Sequence, residues 1–139
     1  MKRIPFVTGL ALGLALPVLT AGALWAQEIP SVELVIATGV ADREPVGVSD
    51  TFPSDVGQLF AWMRVSDASD QAIEVVWTHG PHVDRVPLEI GGSPWRTWSS
   101  KDIPPEWTGE WTVEVRDAEG TVLASTSFTV QPPAISDGI

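Results

Sequence analysis

The sequence has no cysteine and no tyrosine, and its 8 Lys and Arg stand against 18 Asp and Glu. Without a thiol there is no disulfide framework, no thiolate zinc site, no iron–sulfur cluster and no cysteine nucleophile. A net charge of −10 argues against nucleic acid as a partner, because phosphate contacts need clustered cations. The same excess of acid disfavours docking on an anionic membrane face. Catalytic signatures are missing as well: there is no G-x-S-x-G, no H-E-x-x-H, no P-loop and no dinucleotide fingerprint. What remains is 139 residues, 44% of them hydrophobic, with 7 Trp, 12 Gly and 12 Pro. That length accommodates one domain, and that composition is not one of disorder.

Residues 1–26 read as a secretory signal. Lys2 and Arg3 form a basic start, an uncharged run extends from Ile4 to Leu24, and the small residues Ala21-Gly22-Ala23 and Ala26 precede Gln27-Glu28. The basic start, apolar stretch and small-residue site are the elements of an export signal, and cleavage is expected after Ala26. The apolar run is long enough that an uncleaved anchor is the alternative; Pro5 and Pro17 interrupt it. Either way the expectation is a periplasmic or secreted bacterial domain over residues 27–130. The membrane enters only if the N-terminal segment stays attached, and residues 131–139 form a Pro- and Gly-containing flexible tail. Six of the seven Trp follow the signal, and large buried indoles are a plausible substitute for the missing disulfide.

Beyond the signal the apolar residues alternate, as strands with one wet face require. Val32, Leu34 and Ile36 form one such series; Leu59, Ala61, Met63 and Val65 form another, with Phe60, Trp62 and Arg64 on the opposite face. Further runs contain Ile73, Val75 and Trp77; Val86, Leu88 and Ile90; Trp111, Val113 and Val115; and Phe128 with Val130. Turn signals separate them at Ser66–Asp70, at His79-Gly80-Pro81-His82, at Gly91–Pro94 and at Asp117–Gly120. Pro87 belongs at an edge or a bulge, since it cannot donate to a ladder. Residues 41–56 are the least patterned and read as a long connection. About seven strands of this spacing predict an all-β, immunoglobulin-like antiparallel β-sandwich after an N-terminal signal helix. An eight-strand ligand-enclosing barrel is the alternative, but it needs more residues.

The run Gly91-Gly92-Ser93-Pro94-Trp95-Arg96-Thr97-Trp98-Ser99-Ser100-Lys101 is the most specific segment. With Trp107–Val115, Asp117–Gly120, Val122-Leu123 and Ser127–Val130, it resembles the bacterial domain of unknown function DUF2914. Arg43-Glu44-Pro45-Val46 and Phe52 are similar to that family's opening pattern, so the likeness extends over about residues 32–130. One departure is Val75, two residues before Trp77, where the family often carries His; no role of that His carries over. The resemblance implies an extracytoplasmic β-rich module, often joined to a membrane anchor or another domain. It implies no known reaction.

Trp95, Arg96, Trp98, Ser99 and Lys101 form the leading candidate site, for a protein partner or an envelope glycan. Trp and Arg anchor interfaces, and an exposed indole beside Arg stacks on sugars or peptides. On a strand, Trp95, Thr97 and Ser99 share one face, and Arg96, Trp98 and Ser100 the other. The structural alternative is that one Trp fills the core while Arg96 covers an aromatic ring or pairs with a carboxylate. His79, His82 and Asp84 are weak metal candidates: two imidazoles and a carboxylate suit a transition metal, but the spacing matches no helical metal motif. They read more simply as solvated turn residues. Glu110 and Glu114, and Asp67 and Asp70, read as surface acids, with neither a catalytic pair nor a calcium loop. No cofactor and no catalytic residue are expected. The function expected is that of an exported, non-catalytic binding module, with a cell-wall glycan module as the alternative and a small metal-dependent enzyme further behind.

Overall fold

A computed structural model describes residues 29–133; the signal segment lies outside them. The fold is all-β, as the alternation predicts. Ten strands form: β1 (Ser31–Ala37), β2 (Gly39–Ala41), β3 (Glu44–Val46), β4 (Thr51–Pro53), β5 (Gln58–Ser66), β6 (Ala72–His79), β7 (His82–Glu89), β8 (Trp95–Asp102), β9 (Gly109–Arg116) and β10 (Val122–Gln131). The excess over seven comes from β2, β3 and β4. These three-residue strands lie in the stretch expected to be an irregular connection, and three residues are too few to show a period. Gln131, expected to begin the tail, still pairs with Pro53 at the end of β10.

The strands build two facing sheets and a small ribbon. One sheet has the order β1-β5-β8, the other β4-β10-β9-β6-β7, and β2 pairs with β3. All pairings are antiparallel except that of β4 with β10. The chain crosses between the two sheets at β4–β5, β5–β6, β7–β8 and β8–β9, which ties them together covalently. Pro87 sits on β7, an edge strand, where a missing N–H leaves no ladder bond unmade.

The alternating residues point where their parity requires. In the smaller sheet, Val32, Leu34 and Ile36 of β1 lie beside Val65, Met63 and Ala61 of β5 and pack into the core. Leu59, Ala61, Met63 and Val65 are completely buried. From the larger sheet come Ile73, Val75, Trp77, Trp111, Val113, Val115, Phe128 and Val130. Phe128 sits among three rings: it stacks on Trp111 at 5.7 Å and meets Phe52 and Trp77 edge-on at 5.8 and 6.3 Å. Edge-to-face and offset geometries are those the ring quadrupoles favour. Phe52 therefore anchors the short strand β4 to the core. At the β9–β10 turn, Asp117 Oδ1 accepts the N–H groups of Glu119 and Thr121, and Gly120 takes a left-handed φ of 87°, as that turn demands.

Candidate functional site

Strand β8 is the edge of the smaller sheet, and its two faces lead to two different places. Trp95, Ser99 and Lys101 have inward parity; Arg96 and Trp98 point outward. The five residues expected to act together are therefore divided by the strand that carries them.

Trp95 packs against the core at the sheet margin. Gly91 lets its ring lie close: a Cβ there would come within 2.8 Å of the indole. Ser99 is buried, and its Oγ accepts the indole N–H of Trp77 across the sandwich at 3.2 Å. That hydroxyl is committed to the fold.

On the outer face, register builds two parallel rows. Val35, Trp62 and Trp98 form one, and Glu33, Arg64 and Arg96 the other. The β2–β3 hairpin folds onto this face. Its tip residue Arg43 accepts the Trp62 indole N–H through its carbonyl at 2.9 Å, which explains how an outward-pointing Trp62 is only 2% exposed. The Arg43 guanidinium donates to the Arg96 carbonyl at 3.1 Å and lies 5.8 Å from the Trp95 ring centre. Arg96 forms an ion pair with Glu44, and the Arg64 guanidinium lies 5.8 Å from the Trp62 ring centre. Trp98 stays half-exposed beside these groups. Asp42 and Arg43 both have positive φ, 54° and 64°, the backbone of a two-residue hairpin turn that normally selects Asn-Gly or Asp-Gly. Arg in the second position carries backbone strain.

Lys101 belongs to the second place, a cleft where the open edges of the two sheets meet. It forms an ion pair with Asp84 of β7. Around the pair are Trp77, His82, Trp107 and Trp111, bounding a space of about 140 Å³. His79 and His82, paired across the tight turn of the β6–β7 hairpin, both stack on Trp107, at 5.5 and 4.2 Å. His79 Nε2 lies 2.8 Å from the Thr108 carbonyl. A carbonyl only accepts, so Nε2 carries the hydrogen, and Nδ1 is left buried without a partner. The two imidazoles thus join an aromatic stack, and among the described residues no three His, Asp or Glu groups come together as metal ligands. Glu114 is tied to Arg116.

Residues 70–130 match the DUF2914 family. That family is described as a protein of unknown function. The DUF2914 match takes in β6 to β9 and nearly all of β10, including Trp77, Trp95, Trp98, Trp107 and the cleft residues. Arg43–Val46 and Phe52, which resemble the family's opening pattern, lie outside it. No curated protein matches the chain. Among solved structures, the fold is similar to parts of three β-glucosidases. The enzyme from Kluyveromyces marxianus matches at 12% identity and a TM-score of 0.39, covering 74% of this chain and 14% of that one. That from Listeria innocua matches at 10% and 0.43, covering 78% and 17%. That from Bifidobacterium adolescentis matches at 11% and 0.38, covering 78% and 18%. The chain thus spans less than a fifth of the length of these enzymes, and likeness at this level assigns no activity.

The groups missed by sequence reasoning are Trp62, Arg43, Glu44 and Arg64 on the outer face, and Trp107 and Trp111 in the cleft. A signal for the first set was present. Phe60 and Trp62 occupy the polar parity of β5, where a solvated sheet face has no use for large aromatics.

Proposed function

We propose that this chain is an exported, non-catalytic β-sandwich module that binds a protein of the bacterial envelope through the outer face of its smaller sheet. One observation carries the reading: beside the hairpin that covers Trp62, that face leaves Phe60 and Trp98 partly exposed together with Arg64 and Arg96, where a sheet facing only water would be polar. The outer face of β6 and β9, by contrast, carries Glu74, Thr78, Thr112, Glu114 and Arg116 around a single buried apolar residue, Val76. Trp and Arg are the residues most enriched at energetic centres of interfaces. With Arg43, this region gathers three of the six cations that follow residue 28 in a strongly acidic chain; Arg64 and Arg96 are paired with Glu33 and Glu44, so a partner would meet ion pairs of both signs beside an apolar side chain. The basic, apolar N-terminal segment supports the export part of the reading.

The test compares immobilised wild type with Trp98→Ala and Arg96→Ala in envelope extract, with circular dichroism confirming that each variant is folded. The expected result is one envelope protein retained by wild type and weakened about tenfold or more by either substitution, the loss typical of an interface anchor. Equal retention by folded Trp98→Ala would refute the reading.

A further inference from the structure

The cleft between β7, β8 and the β8–β9 loop is separate from the outer face, and its chemistry is different. Its walls are ring surfaces. Trp77 donates its indole N–H to Ser99 and Trp111 donates its own to the Trp107 carbonyl at 3.0 Å; both rings are buried and close the floor of the cleft. Trp107 and His82 add stacked, partly exposed rings. Beside this stack stands a single charged couple, Lys101 with Asp84, whose side chains are 21% and 55% exposed and so remain within reach of a ligand. The space of about 140 Å³ is well below the roughly 300–1,000 Å³ of sites for drug-sized molecules. It accommodates one small ring.

From this geometry we infer that the cleft binds one pyranose ring of a glycan, its C–H face on the exposed side of the His82–Trp107 stack and a pair of neighbouring hydroxyls on Lys101 and Asp84. A vicinal diol is the chemistry that fits the couple without breaking it. Each hydroxyl both donates and accepts, so one donates to the carboxylate while its neighbour accepts from the ammonium. An ammonium ligand would compete with Lys101 for Asp84, and a carboxylate ligand would compete with Asp84 for Lys101. A purely apolar side chain would strip water from the ion pair and return no hydrogen bond, which is the costly case. A pyranose offers both surfaces in a ring of the required size. The inference stands apart from the protein interface proposed for the outer face and does not depend on it.

The experiment titrates the intact protein with a β-1,4-linked glucose trisaccharide, a β-1,4-linked N-acetylglucosamine trisaccharide and an α-1,4-linked glucose trisaccharide. Tryptophan fluorescence and indole N–H chemical shifts are the readouts. The expected result is saturable binding of at least one sugar below about 10 mM, the range of a weak single-ring site. Asp84→Asn, Lys101→Met and Trp107→Ala should each weaken it about tenfold, as the loss of a charged hydrogen-bond partner or a stacking ring predicts. Glu89→Gln, exposed at the far end of β7, should bind like wild type. Asp84 is exposed, so its variant reports on binding even if Trp107→Ala does not fold. No saturable binding by any of the three sugars overturns the inference, and so does unchanged affinity in folded Asp84→Asn and Lys101→Met.

Discussion

Replacing Ser99 by Ala separates a residue that binds from one that holds the sandwich together. Ser99 Oγ accepts the N–H of Trp77, and both residues are buried, at 4% and 1% exposure. Ser99→Ala removes very little volume but leaves an indole N–H in a dry interior with no acceptor, which costs about 1–3 kcal/mol. The bond is 3.2 Å long, at the long end of the normal range, so the lower half, about 1–2 kcal/mol, is the expected loss. For a domain of this size that lowers the melting temperature by roughly 4–8 °C per kcal/mol. Trp77→Phe removes the donor and adds a cavity, and is destabilising in its own right. In that background Ser99→Ala should be close to neutral, since the hydroxyl has already lost its partner. The double-mutant cycle should therefore give a coupling of about 1–2 kcal/mol. Urea and thermal unfolding of the four proteins provide the measurement. Additive losses would show that the two side chains act independently, and the assignment of Ser99 to the fold would fail.

Two further expectations concern stability. Arg43 has a φ of 64°, a conformation that costs an L-residue roughly 1–2 kcal/mol and glycine almost nothing. Arg43→Ala and Arg43→Gly lose the same guanidinium contacts, so the glycine variant should be the more stable by about 1 kcal/mol in urea unfolding, against the usual ranking; the opposite order refutes the strain argument. Phe128→Ala removes the ring that Trp111, Phe52 and Trp77 share and should cost about 3–5 kcal/mol, a large part of the 5–15 kcal/mol available to a domain. A loss below about 1 kcal/mol, within the range of ordinary surface changes, would show that the ring cluster is not central.

The long strands were legible because period-2 patterning is a local signal, and each long run kept its parity in the folded protein. Leu59, Ala61, Met63 and Val65 went inward, and Ile73, Val75 and Trp77 did the same. The short strands were not legible. β2 and β3 are fixed by a bond from the Trp62 indole to the Arg43 carbonyl, a contact between residues nineteen positions apart, and nothing in their own composition marks them as strands. Parity already placed Ser99 opposite Trp98, yet chemical character grouped them into one candidate site, and parity was the better guide. The cleft depended on which strand edges meet. Lys101 and Asp84 lie on different sheets, so no spacing rule along the chain joins them. Trp107 opens the family-like stretch Trp107–Val115, but its two imidazole neighbours come from the β6–β7 hairpin.

β10 supplies Phe128 and Val130 to the interior and stands between β4 and β9, while β4 lies some seventy-five positions earlier in the chain. Until residues 122–131 have left the ribosome's exit tunnel, Phe52 has no aromatic neighbour to fold against and β9 lacks one flank. Such distant pairings are slow to form and come late. The larger sheet is therefore completed only when β10 arrives, whereas the pairings of β1 with β5, β5 with β8, and β6 with β7 and β9 do not wait for it.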